Sequence, residues 1–135
     1  CELQVTAATR IVTDDVRKLP VGRERVAGGI YDFGSLRPIG DLEIDLAYGD
    51  LERDASGRAW ARLLSSDGAV RELWVDEGYR YIEIYTGDTL APDRRRRGLG
   101  AEPMTCAPNA FVSGEDLVRL EPGESFSASW GVRLR

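Results

Sequence analysis

The sequence predicts an all-β protein. Apolar and polar residues alternate over short stretches, and residues that favour turns separate these stretches, as is typical of antiparallel strands. No segment keeps a helical period of 3.6 residues over three turns. Apolar residues make up 42% of the 135 residues, which is enough for a packed core and too many for a disordered chain. We therefore expect one domain, or part of one, built from short strands.

The N-terminal segment predicts a strand that faces a core. Between residues 2 and 8 every second side chain is apolar, as in a half-buried strand, and residues 10–13 continue in an extended conformation. Residues 14–22 are polar and predict a loop.

A second extended segment is predicted around Asp45. Four apolar residues at alternate positions share one face: Leu42, Ile44, Leu46 and Tyr48. The Asp45 side chain then points to the opposite face. The pattern alone favours a solvated strand position for this carboxyl.

The middle of the chain predicts a β-meander. Its strands are expected at residues 57–64, 69–75 and 79–86, with turns between them. In the third strand Tyr81, Glu83 and Tyr85 share a face. Such an aromatic face with one acid either lines a sugar site or packs as an ordinary sheet surface.

The C-terminal strand has the most regular pattern. A short strand at 117–120 and a tight turn at 121–124 are expected before it. One face of the last strand holds Phe126, Ala128, Trp130, Val132 and Leu134. This alternation predicts that Trp130 belongs to the core.

The charged residues of the chain indicate which classes of partner it can bind. The chain has 18 Lys and Arg against 23 Asp and Glu, a net charge of −5, which argues against a nucleic-acid partner. Four arginines at 94–97 predict either a phosphate-binding patch or, as is more common, a solvated loop. No apolar run reaches about 18 residues, so no membrane span is expected.

The numbers of histidines and cysteines restrict which catalytic mechanisms, metal sites and disulfides the chain can form. The chain contains no histidine, which excludes a Ser-His-Asp mechanism within it and disfavours a zinc site. No cofactor is expected. Two cysteines, Cys1 and Cys106, make no disulfide framework and favour a reduced compartment, the cytoplasm.

Residues 98–111 hold a single charged side chain, Glu102. Two glycines precede it and two prolines follow it, so the backbone can approach a ligand closely and then stiffens. A lone acid in such a segment is a candidate proton acceptor or donor. The other interpretation is a structural ion pair with one of the preceding arginines.

Short motifs follow one another in a characteristic order along the chain. The upstream motifs are Tyr31-Asp32-Phe33, Leu36-Arg37, Ile44-Asp45-Leu46-Ala47-Tyr48, Leu73-Trp74 and Tyr85-Thr86-Gly87-Asp88. The downstream motifs are Glu102-Pro103-Met104-Thr105-Cys106, Pro108-Asn109-Ala110-Phe111, Leu120-Glu121-Pro122-Gly123-Glu124 and Ser129-Trp130-Gly131. In this order they resemble the bacterial branch of the aldose 1-epimerase (galactose mutarotase) family. The resemblance implies a large antiparallel β-supersandwich, of which this chain is about the C-terminal half.

The resemblance also implies a function. Members interconvert the α and β anomers of an aldohexose such as glucose or galactose by acid/base ring opening. By this resemblance Glu102 corresponds to the catalytic base, and Asp45 corresponds to a residue that contacts the substrate. Thr105 and Asn109 flank the base and are candidates for positioning it. The general acid of the family is a histidine, which would lie on sequence outside this chain. A missing N-terminal segment or another chain is then expected to pack on the sheet.

Three other functions stay open from the sequence. A glycosidase would use Asp45 and Glu102 as its two carboxylates, about 5–10 Å apart. A non-catalytic carbohydrate-binding module would use aromatic residues such as Trp60, Trp74 and Tyr81. A purely structural chain would complete the sheet of a partner.

Overall fold

The computed structural model describes residues 1–135 and consists of two five-stranded sheets. The strands are β1 (Glu2–Val5), β2 (Ala7–Thr13), β3 (Pro20–Arg25), β4 (Arg37–Pro38), β5 (Asp45–Leu51), β6 (Ala59–Leu64), β7 (Val70–Val75), β8 (Tyr81–Tyr85), β9 (Gly100–Met104) and β10 (Trp130–Leu134). One helical turn, α1, spans Ala110–Ser113. The all-β prediction is therefore confirmed.

The two sheets pack face to face as a sandwich. The strand order is β10-β7-β6-β1-β4 in the first sheet and β3-β2-β5-β8-β9 in the second, and all pairs are antiparallel. One apolar core fills the space between them. Its largest fully buried side chains include Tyr48, Phe33, Leu3, Ile44 and Ile84.

The segment predicted as one strand at residues 2–8 contributes to both sheets. β1 ends at Val5 and lies in the first sheet, whereas β2 starts at Ala7 and lies in the second. The predicted alternation is nevertheless correct, because Leu3, Val5 and Ala7 are all buried. The chain crosses the sandwich at Thr6 without changing which side chains face the core.

Two local predictions are wrong. Residues 20–25, predicted in part as a loop, form the edge strand β3, which pairs with β2. Its side chains are mostly exposed, so no apolar alternation marks it. Residues 117–120, predicted as a strand, form no strand.

The predicted meander has the right strands but the wrong pairing. β6 and β7 form a hairpin in the first sheet, but β8 belongs to the second sheet, between β5 and β9. Residues 76–80 thus carry the chain from one sheet to the other. Sequence pattern locates strands, whereas their partners depend on long-range packing, which is why this pairing was missed.

The last strand begins at Trp130, so Phe126 and Ala128, which were predicted on its apolar face, lie outside it, and Trp130 is not a core residue. The exposed fractions are 53% for Trp130, 62% for Val132 and 73% for Leu134. They lie beside Val75, Leu73 and Arg71 of β7. β10 is the outermost strand of its sheet, and an open slot lies between its residues Trp130 and Val132 and the residues of β9, so this apolar row is not covered.

The arginine run lies in an exposed turn, as the commoner interpretation predicted. Arg96 is the one arginine of the run with side-chain hydrogen bonds, because its guanidinium donates to the carbonyl oxygens of Gly40 (2.7 Å) and Leu42 (3.3 Å) and to the carboxylate of Asp88 (2.7 Å). It thereby ties this turn to the segment before β5. The chain has no helix with the length and apolar character needed to cross a membrane.

Candidate functional site

The centre of the candidate site is a row of side chains across three adjacent strands. Glu83 of β8 lies directly opposite Glu102 of β9 on one side and Ala47 of β5 on the other. Directly opposed residues place their Cβ atoms about 4.5–5.5 Å apart on the same face. This face points away from the core, since the intervening residues Ile82 and Ile84 are buried between the sheets.

The neighbouring row contains the second predicted residue. Asp45 is opposite Tyr85, and Tyr85 is opposite Gly100 of β9. Gly100 carries no side chain, so the Tyr85 side chain has space on that side; a Cβ there would lie 3.4 Å from Tyr85 Cβ. The Tyr85 hydroxyl is 2.5 Å from the hydroxyl of Thr89.

The row of side chains on the other side of Glu83 is apolar, and residues from other parts of the chain hold its tyrosine in place. Tyr81 pairs with Met104 and packs closely on Gly49, where a Cβ would lie only 3.0 Å from the ring. The Tyr81 hydroxyl donates to Asp116 (2.7 Å) and accepts from Arg23 (2.7 Å). These bonds fasten the segment after β9 against this end of the face.

Both residues predicted for the site lie on this one face. Asp45 and Glu102 are exposed and stand on β5 and β9, with β8 between them, so the strand axes are about 9.5 Å apart. Thr105 and Asn109, the predicted positioning residues, form no hydrogen bond with Glu102. Asn109 instead adopts a left-handed conformation with φ 62° immediately before α1.

The structure adds a third carboxyl that was not predicted as a site residue. Glu83 was noted only as the acid of an aromatic face. Burial, followed by the negative charges of Asp45 and Glu102, raises the pKa of Glu83 to about 7. None of the three carboxylates has a hydrogen-bonding or ion-pairing partner in the chain. No sequence pattern indicates that Glu83 faces Glu102, because that depends on the register of β8 and β9.

The raised pKa of Glu83 predicts a pH-dependent stability. A carboxyl with a pKa of 4.5 when unfolded and about 7 when folded binds more protons in the native state between these values. Its stabilising contribution is therefore present below about pH 4.5 and is lost as the pH rises through 7. We expect Glu83→Gln to raise the free energy of unfolding by about 1–3 kcal/mol at pH 8 and to change it little at pH 4.5. Urea denaturation at both pH values checks this, and an equal effect at both would contradict it.

A polar recess adjoins the Asp45 end of this face. It has a volume of about 360 Å³, and its lining includes Arg10, Lys18, Tyr31, Asp45 and Tyr85. A larger cavity of about 560 Å³ lies elsewhere and includes none of the three carboxylates in its lining. No group of three or more Cys, Asp and Glu side chains has the arrangement of a metal site.

The tryptophans proposed for sugar binding lie on the other sheet. Trp60 and Trp74 are opposite each other on β6 and β7. The Arg58 guanidinium carbon lies 4.1 Å from the Trp74 ring centre, and that of Arg133 lies 4.7 Å from the Trp60 ring centre. These guanidinium groups stack on the rings, so they occupy ring faces that a sugar would need.

Comparison with known proteins gives two partial likenesses. No protein-family model matches the chain. An uncharacterized protein of Escherichia coli (strain K12), YihR, is 48% identical over 44 residues, which cover 33% of this chain and 13% of YihR.

The second likeness is structural. The crystal structure of a GalM/aldose epimerase homologue from C. elegans matches 99% of this chain with a TM-score of 0.80 and 18% identity. The match covers 45% of that homologue, so this chain spans less than half of its length. The chain therefore has the galactose mutarotase-like sandwich fold, and the resemblance of its motifs to the aldose epimerase family is matched by a structural neighbour of that family.

Proposed function

We propose that this chain carries the base-bearing half of an aldose 1-epimerase that acts on an aldohexose such as glucose or galactose. One observation carries the proposal. The two residues that the resemblance assigns to the reaction, Glu102 and Asp45, lie exposed on one face of one sheet, within a fold shared with a GalM/aldose epimerase homologue.

The proposed reaction needs a positioned base and acid. Glu102 removes the proton of the C1 hydroxyl while the bond between C1 and the ring oxygen breaks, and an acid gives a proton to the ring oxygen. The open aldehyde turns about the C1–C2 bond, and closure on its other face reverses both transfers. Asp45 accepts hydrogen bonds from sugar hydroxyls and orients the ring. Each positioned proton-transfer group contributes about 10²–10⁴-fold to the rate.

The acid is proposed to come from a second polypeptide segment. This chain has no histidine, the residue that the resemblance implies for this role. The segment is proposed to be N-terminal to Cys1 in the same polypeptide, or a separate chain. We further propose the cytoplasm as the compartment, since Cys1 and Cys106 are both free thiols.

An open edge of the sandwich supports the need for such a segment. An apolar slot of about 280 Å³ opens between the outermost strands β9 and β10. Its lining includes Leu3, Leu73, Leu99, Trp130 and Val132. An uncovered apolar slot beside two edge strands is suited to additional strands, and the homologue of this fold is more than twice as long as the matched region.

Mutarotation of freshly dissolved α-glucose and α-galactose, followed by polarimetry, tests the proposal. We expect the chain alone to leave the rate at background and to self-associate. A form extended upstream of Cys1 is expected to be monomeric and to accelerate the reaction. Failure of the extended form to accelerate mutarotation of either sugar would reject the proposed function.

A further inference from the structure

We infer that the outer face of the first sheet binds an extended acidic segment of a partner protein. Leu73 and Val75 of β7 are buried in the core, so the alternate residues Glu72 and Trp74 point outward. This face lies on the opposite side of the sandwich from the carboxylates of the candidate site, so binding here is independent of the proposed function. Four arginines of this face form what we call the basic patch: Arg58, Arg62, Arg133 and Arg135.

One buried carboxylate gathers three arginines of the basic patch. The Glu72 side chain is 5% exposed and accepts hydrogen bonds from Nε of Arg62 (2.8 Å) and Nε of Arg133 (2.5 Å). Nε of Arg135 lies 3.4 Å from the oxygen that Arg133 contacts. The hydrogen bond from Arg133 is the main cause that lowers the pKa of Glu72 to about 2, so this carboxylate stays ionised. Three positive charges thus meet one negative charge, and no other carboxylate of the chain pairs with them.

The arginines keep hydrogen-bond donors for a ligand. Arg133 and Arg135 face Glu72 through Nε, and neither uses Nη1 or Nη2 in a hydrogen bond within the chain. Their side chains are 41% and 61% exposed. A guanidinium offers its N–H groups as a planar fork that matches a carboxylate. Because Glu72 and the Trp60 ring, 4.7 Å from the Arg133 guanidinium carbon, already hold the Arg133 side chain, it loses little conformational freedom when a ligand binds.

A tryptophan holds the fourth arginine at the other end of the basic patch. The Arg58 guanidinium carbon lies 4.1 Å from the ring centre of Trp74. The ring in turn lies against Gly131 of β10, where a Cβ would be only 2.7 Å from the indole nitrogen. Arg58 is exposed and forms no ion pair within the chain, so its charge is also uncompensated.

The spacing of the basic patch favours an extended peptide over a single anion. Trp74, Glu72 and Val70 are alternate residues of β7 and mark three successive rows, about 7 Å apart. An arginine stacks on the first, two donate to the second, and the backbone of Arg135 pairs with the third. Acidic side chains at alternate positions of an extended chain have the same spacing, whereas a phosphate ion reaches only one row.

The tryptophans argue against a single-stranded nucleic acid as the partner, since such a partner stacks its bases on free aromatic faces. The guanidinium carbons of Arg62 and Arg133 lie 5.0 and 4.7 Å from the Trp60 ring centre. Arg58 likewise covers Trp74. The surface therefore presents guanidinium donors rather than free rings, which suits carboxylates.

Fluorescence anisotropy of a labelled peptide, added to the form extended upstream of Cys1, tests for this binding. The probe is an octapeptide of four glutamates alternating with four threonines, in a buffer of about 10 mM salt, where screening is weak. We expect saturable binding that weakens as NaCl is added. A peptide in which the same four glutamates are contiguous should bind about threefold more weakly, because fewer of its carboxylates reach successive rows.

Two variants of the basic patch and one control locate the binding. Arg133→Gln/Arg135→Gln should weaken peptide binding about tenfold, since two charge-assisted donors are lost, and Arg58→Gln about threefold. Arg58→Gln breaks no ion pair and is expected to fold as wild type, so it keeps the test decisive if the double variant is unstable. Arg94→Gln/Arg97→Gln removes the same net charge from the exposed turn and should bind as wild type.

NMR locates the peptide independently of the variants. The indole N–H signal of Trp74 should shift when the peptide is added, whereas that of Trp130 should not, because Trp130 lies beside buried Val75 on the inner side of the sheet. The reverse pattern of shifts would overturn the inference.

Four other outcomes would also overturn it. The patch variants could bind as wild type, or the control could lose as much affinity as they do. The contiguous peptide could bind as tightly as the alternating one. An oligothymidylate that binds more tightly than the peptide would make the partner a nucleic acid, and inorganic phosphate that binds as tightly would reduce the basic patch to a site for a single anion.

Discussion

Replacement of Glu102 by glutamine is expected to slow mutarotation by about 10²–10⁴-fold in the extended form. Glutamine has nearly the same shape and still accepts hydrogen bonds through its carbonyl oxygen, but it does not take up the proton of the C1 hydroxyl. The site around it should persist, because the Glu102 side chain is exposed and forms no bond within the chain. Polarimetry of α-glucose and α-galactose measures the rate.

The loss should fall on kcat. An interaction used only in proton transfer lowers kcat and kcat/KM together, whereas loss of a binding contact raises KM. We expect the first behaviour for Glu102→Gln. Glu52→Gln serves as the control and should keep the wild-type rate, since Glu52 lies beyond the end of β5. A fully active Glu102→Gln variant would remove Glu102 from the role of base.

The part of the site that lies within single strands is predictable from the sequence. Alternation around Asp45 places Ile44, Leu46 and Tyr48 in the core, and all three are buried. The same alternation directs Asp45 to the opposite face, where it is exposed. Side chains of a strand alternate with a period of two, so this inference requires no knowledge of the partner strands.

The third carboxyl was missed for a specific reason. Glu83 and Glu102 are separated by 19 positions in sequence, and the intervening residues include the exposed arginine turn. A shift of one residue in the register of β9 would turn Glu102 to the core side. Only the observed pairing of Glu83 with Glu102 brings the carboxyls together, and no local pattern encodes it.

The exposure of Trp130 was not predicted, because the alternation of apolar residues along a strand does not show whether another segment covers its apolar face. Trp130, Val132 and Leu134 alternate as a buried strand would, yet all three are exposed. The sequence pattern records a face that is suited to burial. In this chain the slot beside that face is open, which agrees with the proposal that a further segment packs there.

Truncation of Ile84 to alanine is expected to lower the free energy of unfolding by about 2–5 kcal/mol, since it leaves a cavity in the core. Ile84 has no exposed surface and is paired with Leu46 of β5 and Ala101 of β9. It therefore packs beneath the three strands that carry the site, immediately between Glu83 and Tyr85. Urea denaturation of the same polypeptide form as the wild type gives the difference.

Two control variants test whether the loss of stability comes from the cavity in the core. Ile84→Val removes one methylene and should cost only about 0.5–1.5 kcal/mol. Val16→Ala removes aliphatic atoms from a side chain that is 91% exposed, and should change the free energy of unfolding by less than about 0.5 kcal/mol. If Ile84→Ala were as mild as Val16→Ala, the inner face of β8 would not be packed between the sheets. The outward direction of Glu83, which depends on that packing, would then lose its basis.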